Sequence, residues 1–138
     1  MELNPSKSTI VKFNEISDER GSLVPLEKGE IPFTIRRVYY IYNVNELLPR
    51  GFHAHKNLEQ VMICLKGRCE VIVDNGEYKE SFVLDNPSEG IYVPKMNWRE
   101  MHKFSEDCIL LVLASDYYND NDYIRNYDEF VKEVRHNA

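Results

Sequence analysis

Two of the four histidines, His53 and His55, stand two residues apart in the run Pro49-Arg50-Gly51-Phe52-His53-Ala54-His55-Lys56-Asn57-Leu58-Glu59-Gln60. Side chains alternate along an extended strand, so both imidazoles point to one side. Converging imidazoles suit one of two chemistries. Their ring nitrogens can hold a divalent ion, or, with an ordinary pKa near neutrality, they can move protons. A second segment, Phe33-Thr34-Ile35-Arg36-Arg37-Val38-Tyr39-Tyr40-Ile41-Tyr42, puts Phe33, Ile35, Arg37, Tyr39 and Ile41 on one face and Arg36 on the other. An arginine and a tyrosine among three large hydrophobes make either a half-buried structural pair or the wall of a polar pocket inside a barrel.

The elements that must position these groups are short strands. Between residues 9 and 116, β-branched and aromatic runs are broken by turn residues: Thr9 to Phe13, Ser22 to Leu26, Phe33 to Tyr42, Gln60 to Leu65, Cys69 to Val73, Glu80 to Leu84, Gly90 to Val93, and Cys108 to Ser115. That spacing predicts a sandwich or barrel, and Asp74-Asn75-Gly76 predicts a tight hairpin. After Asp120, residues Tyr123, Tyr127, Phe130, Val131 and Val134 repeat with helical spacing, with Asn119, Asp120 or Asn121 as N-cap. A C-terminal helix laying an aromatic stripe on the sheet is the expectation.

The 138 residues, 43% hydrophobic and 12% aromatic, suffice for one domain spanning residues 1–138 with a buried core. With 17 Lys+Arg against 23 Asp+Glu the net charge is -6, which disfavours nucleic acid as a partner. An anionic ligand therefore needs a local basic pocket. The longest apolar run, Cys108 to Ala114, is far too short to span a bilayer, and Met1 to Lys7 lacks the basic-then-apolar order of a secretory leader. Cys64, Cys69 and Cys108 match no metal or redox spacing and read as reduced core residues of a cytoplasmic protein.

The His-x-His in an all-β chain of this size resembles the first motif of the cupins, metal-binding barrels in which a carboxylate and a third histidine complete the site. Aligned on Gly67, the expected glutamate falls on Gln60, with Glu59 the alternative register. Aligned on Gly90 and Pro94, the third histidine falls on Arg99. A guanidinium has no lone pair and repels a cation, so no metal and no other cofactor is expected.

A closer resemblance rests on Arg20-Gly21-Ser22-Leu23, Arg37-Val38-Tyr39-Tyr40-Ile41, Pro49 to Lys56, Leu58-Glu59-Gln60, Trp98-Arg99-Glu100-Met101, Val112 to Tyr118, and Asp122-Tyr123-Ile124-Arg125. In order and spacing these resemble the dTDP-4-keto-6-deoxyglucose 3,4-ketoisomerases, metal-independent WxcM-like cupins, over roughly residues 9 to 133. The resemblance implies an all-β cupin-type jelly roll with a short C-terminal helix, and a homodimer with exchanged strands acting on a dTDP-linked 4-keto-6-deoxy sugar. His53 would be the principal base and His55 its relay partner, and Tyr39 would shuttle protons among sugar oxygens. Arg37 and Arg50 would meet the diphosphate, with Arg20, Gln60 and Arg99 also in the pocket. The resemblance further implies a product destined for an aminotransferase that makes a 3-amino-3,6-dideoxyhexose. Rival readings are a 3,5-epimerase on the same 4-keto sugar, a metal-dependent cupin oxygenase, and a non-catalytic sugar-nucleotide binding module.

Overall fold

A computed structural model describes residues 7–136; Met1 to Ser6, on which the leader expectation chiefly rests, lie outside the described residues. Twelve strands follow one another before the helix. They are β1 (Thr9–Lys12), β2 (Ile16–Asp18), β3 (Gly21–Leu23), β4 (Arg37–Ile41), β5 (Arg50–His55), β6 (Gln60–Lys66), β7 (Cys69–Asp74), β8 (Lys79–Leu84), β9 (Glu89–Val93), β10 (Trp98–His102), β11 (Ile109–Ala114) and β12 (Tyr123–Ile124), then α1 (Tyr127–His136). One five-stranded sheet runs β1-β9-β6-β11-β4, a second runs β12-β5-β10-β7-β8, and β2-β3 form a separate hairpin. All pairings between these strands are antiparallel. Two facing antiparallel sheets with this crossing strand order make the expected cupin-type jelly roll.

The alternation of each strand decides what lies between the sheets. On β6, Met62 and Cys64 join Val71 and Val73 of β7, Ile91 and Val93 of β9, and Leu110 and Val112 of β11 in the main core. Burying side chains of this size contributes about 1.5–3 kcal/mol each. At one end of the same space the side chains turn polar: His55, Gln60 and Arg99 are all buried, Arg99 fully so.

The strand expected over Phe33 to Tyr42 forms only from Arg37 to Ile41, because Arg37 is the last residue for which β11 offers a partner, Ala114. Likewise the run expected over Ser22 to Leu26 pairs only to Leu23, opposite Ile16. The helix begins four residues later than its periodicity suggests. Asn119 caps a single 3-10 turn at Asp120–Asp122, accepting from the Asn121 N–H at 3.1 Å. Tyr123 and Ile124 then pair with His55 and Ala54 as β12. Asn126 caps α1 itself, accepting from the Glu129 N–H at 3.0 Å. Phe130, fully buried, packs with Ala54, Trp98 and Ile124, so the helix covers the back of the sheet that carries the histidines.

Candidate active site

β5 reaches the site through a bulge. Gly51 has φ +94° and Phe52 φ +60°, and opposite them the β10 register slips between Arg99, paired with His53, and Glu100, paired with Gly51. The unpaired Phe52 leans outward onto the His102 ring, 5.6 Å between centroids. Only glycine suits position 51: besides its positive φ, a Cβ there would lie 2.9 Å from the Arg99 carbonyl oxygen. Beyond the bulge alternation resumes. His53 and His55 share one side, as the sequence predicts, and Ala54 faces the helix.

The two imidazoles meet edge to face at 4.9 Å, and the Tyr123 ring closes the group at 4.8 Å from His53 and 4.4 Å from His55. The His55 Nδ1–H donates to the Asp122 carboxylate at 3.2 Å. That bond fixes the tautomer and leaves Nε2 as the lone-pair nitrogen, buried without a partner among the described residues. Asp122 is itself held by the N–H groups of Asn57 at 2.9 Å and Leu58 at 3.2 Å. Its contact with the site runs through the His55 ring.

From the facing sheet come Tyr39 on β4 and Gln60 on β6. The Gln60 amide donates to the Tyr39 hydroxyl at 3.1 Å and accepts at its oxygen from Arg99 Nη1. Arg99 Nη2 donates to the Asn97 carbonyl at 3.0 Å, while Nε is unpartnered among the described residues. Gln60 therefore belongs to the site. Glu59 points to the other side and accepts from the Tyr92 hydroxyl at 2.5 Å, which resolves the two registers left open by the sequence. The donor set of a metal-holding cupin is thus altered at two positions, an amide for the carboxylate and a guanidinium for the third imidazole, and does not fit a cation.

Burial, with Arg99 adding to it, lowers the His53 pKa to about 4. Burial above all, with Arg99 and His53 adding to it, pushes His55 down further. Both rings are neutral bases at neutral pH. Burial also lowers Arg99, to about 10, so it stays charged.

Arg37 lies over the rings of Tyr39 at 4.5 Å and Tyr118 at 5.4 Å. Arg125 stacks on Tyr123 at 4.1 Å and pairs with Asp120 at 2.9 Å. His53, His55, Tyr39, Gln60, Arg99 and Arg37 are thus brought together. Arg50 is exposed where β5 begins, opposite Met101. Arg20 is exposed on the β2-β3 hairpin, bound to Asp18 at 2.6 Å. Asp122, Tyr123 and Arg125 complete the site unforeseen. Their signal was a polar-aromatic run that interrupts the helical spacing, Asp120 to Arg125, with no apolar residue at one position of the stripe between Tyr123 and Tyr127.

A family model described as "FdtA: WxcM-like, C-terminal" matches residues 6–135. The TDP-4-oxo-6-deoxy-alpha-D-glucose-3,4-oxoisomerase of Aneurinibacillus thermoaerophilus is 52% identical over 129 residues, 93% of each chain. A 3,4-ketoisomerase from Helicobacter canadensis is 50% identical, with a TM-score of 0.90 over 93% of this chain and 97% of that one. QdtA, a sugar 3,4-ketoisomerase from Thermoanaerobacterium thermosaccharolyticum solved with TDP, is 45% identical, with a TM-score of 0.91 over 94% of this chain and 96% of that one. A histidine-to-asparagine variant of QdtA has been solved with TDP-4-keto-6-deoxyglucose.

Proposed function

Because the chain belongs to the FdtA family of WxcM-like C-terminal domains, we propose that it is a TDP-4-keto-6-deoxyglucose 3,4-ketoisomerase working by histidine-mediated proton transfer. The observation that carries this reading is the pair of neutral imidazoles, His53 and His55, facing the buried cation of Arg99 inside the barrel. A base and a fixed positive charge are what an enediol(ate) requires.

The C4 ketone acidifies the proton on C3. His53 takes that proton while negative charge develops on the C4 oxygen. The resulting enediol is converted when the C3 hydroxyl gives up its proton and C4 receives one, which leaves the ketone at C3 and a hydroxyl at C4. No net oxidation occurs. His55, its Nδ1 held by Asp122, presents Nε2 as the second proton site. Tyr39, hydrogen-bonded to Gln60, lies on the wall that would pass protons between sugar oxygens. Arg99 supplies the field that stabilises the oxyanion. The diphosphate would be met by Arg37 and Arg50, with Arg125 as a further cation, which reconciles a chain of net charge -6 with an anionic substrate.

The enzyme acts as a homodimer. All six strand residues of the β2-β3 hairpin are exposed, including Ile16 and Leu23, and the outer face of β4 exposes Val38 and Tyr40, with Tyr42 exposed just beyond it. A groove lined by Leu26, Ile31, Phe33 and Ile35 lies along the segment between them. A second copy is the occupant that buries this surface, by exchange of the hairpin, and it would bring Arg20 to the neighbouring pocket. Residues 1–138 serve as one catalytic domain. No helix among the described residues is long and apolar enough to cross a membrane. Three free cysteines accord with a cytoplasmic location, and the 3-ketone suits an aminotransferase that makes a 3-amino-3,6-dideoxyhexose.

NMR of the product formed from TDP-4-keto-6-deoxyglucose in deuterated water tests the assignment. A 3-ketone carrying deuterium at C4 is expected. A rhamno-configured 4-ketone would establish a 3,5-epimerase, and unchanged substrate would leave a binding module.

A further inference from the structure

Away from the histidines, the three cysteines converge. Cys64 lies near the end of β6, Cys69 opens β7 and Cys108 precedes β11. All three are at most 1% exposed, none is in a disulfide, and their sulfurs all lie within 4.8 Å of one another. Cys64 and Cys108 are 3.7 Å apart. Three sulfurs around an ion at a Zn–S distance of about 2.3 Å form a triangle with edges of about 4 Å. Apolar packing alone would be served by any small side chain, and nothing in it requires three sulfurs to face one point.

Contacts between two loops hold the triangle in place. Arg68 N–H donates to Ser105 Oγ and Ser105 N–H to the Arg68 carbonyl, both at 2.9 Å, and Cys108 N–H donates to the Ser105 carbonyl at 3.0 Å. Gly67, φ +73°, lets the two loops touch: a Cβ there would fall 2.2 Å from Ser105 Oγ. The Lys66 carbonyl, 3.1 Å from the Cys64 sulfur, adds an oxygen beside the group. Gln60 and Cys64 are four residues apart on β6, about 13 Å at the rise of an extended strand, so the cluster is separate from the imidazole pair.

We propose that Cys64, Cys69 and Cys108 form a binding site for a soft, thiophilic divalent ion of the Zn2+ or Cd2+ kind. Sulfur donors select such ions over Mg2+ or Ca2+. The charge balances without a buried counter-ion: the ion displaces two thiol protons to solvent, two thiolates neutralise it, and the third sulfur binds as a thiol. The isomerase reaction does not use the site.

Titration of the reduced, full-length protein with Cd2+ tests this. The expected result is one ion per chain, with a thiolate-to-cadmium charge-transfer band and about two protons released. Cys69→Ala and Cys108→Ala should each weaken binding by about a hundredfold, and His53→Asn should leave it intact. Where a cysteine variant fails to fold, protection of the native thiols from alkylation by bound Cd2+ reads the same contact. The proposal is overturned if the native protein gives no such band and no protection, if the band survives in folded cysteine variants, or if His53→Asn abolishes it.

Discussion

An ordinary histidine loses its proton near 6.5, whereas burial together with Arg99 holds His53 at about 4. The gap corresponds to about 3 kcal/mol of preference for the neutral ring. If His53 is the base, the acid limb of kcat/KM, which reports the free enzyme, falls near pH 4. At pH 5.5 an unshifted imidazole would be about 10% deprotonated, whereas His53 should be more than about 90% so. The unfolded chain binds more protons than the folded one between the two pKa values, so stability falls as pH drops from 6.5 towards 4. Rates should therefore be taken after brief pH jumps. Arg99→Met removes the second-largest cause and leaves burial, so the His53 resonance, followed by NMR, should titrate part-way back towards 6.5. An acid limb centred at 6.5, or an NMR titration indifferent to Arg99, would refute the electrostatic account of the base.

His53→Asn should lower turnover by about 100-fold or more while calorimetry finds TDP affinity nearly unchanged, because the ring moves a proton and does not anchor the nucleotide. Asp122→Asn, which keeps the size but loses the charge opposite His55 Nδ1, should reduce kcat by about tenfold or more with KM little altered and shift the pH profile. A changed KM alone would place Asp122 in binding instead. Gly51→Ala meets both an unfavourable φ and the Arg99 carbonyl at 2.9 Å. It should cost about 1–3 kcal/mol in denaturant titrations and lower kcat, and an unchanged midpoint would mean that the bulge tolerates a side chain.

Alternation made much of this site readable from residue order. It placed His53 with His55 and Arg37 with Tyr39, and the alignment of motifs brought Arg99 in, because a two-residue period survives wherever a strand is regular. It could not choose between Glu59 and Gln60, since that choice depends on where β6 begins to pair with β9 and β11. The spacing of Tyr123 to Tyr127 and Phe130 is helical and predicts a helix there. The side chain of Asn119 and the pairing of Tyr123 with His55 overrule that spacing, and no local pattern announces a partner some 68 positions away. The convergence of the three sulfurs is illegible in the sequence for the same reason: hairpin closure at Gly67 and the Ser105 loop bring them together, not their order in the chain.

Among the described residues, the fully buried guanidinium of Arg99 hydrogen-bonds only neutral acceptors, the Gln60 amide and the Asn97 carbonyl. Removing it from water weakens the empty barrel, and an anion entering the cavity repays that debt. The resting fold is therefore less robust than an all-apolar version would be, and Arg99→Met should melt higher while losing catalysis. Negatively charged guests should correspondingly protect the native protein against heat more than uncharged sugars of equal size.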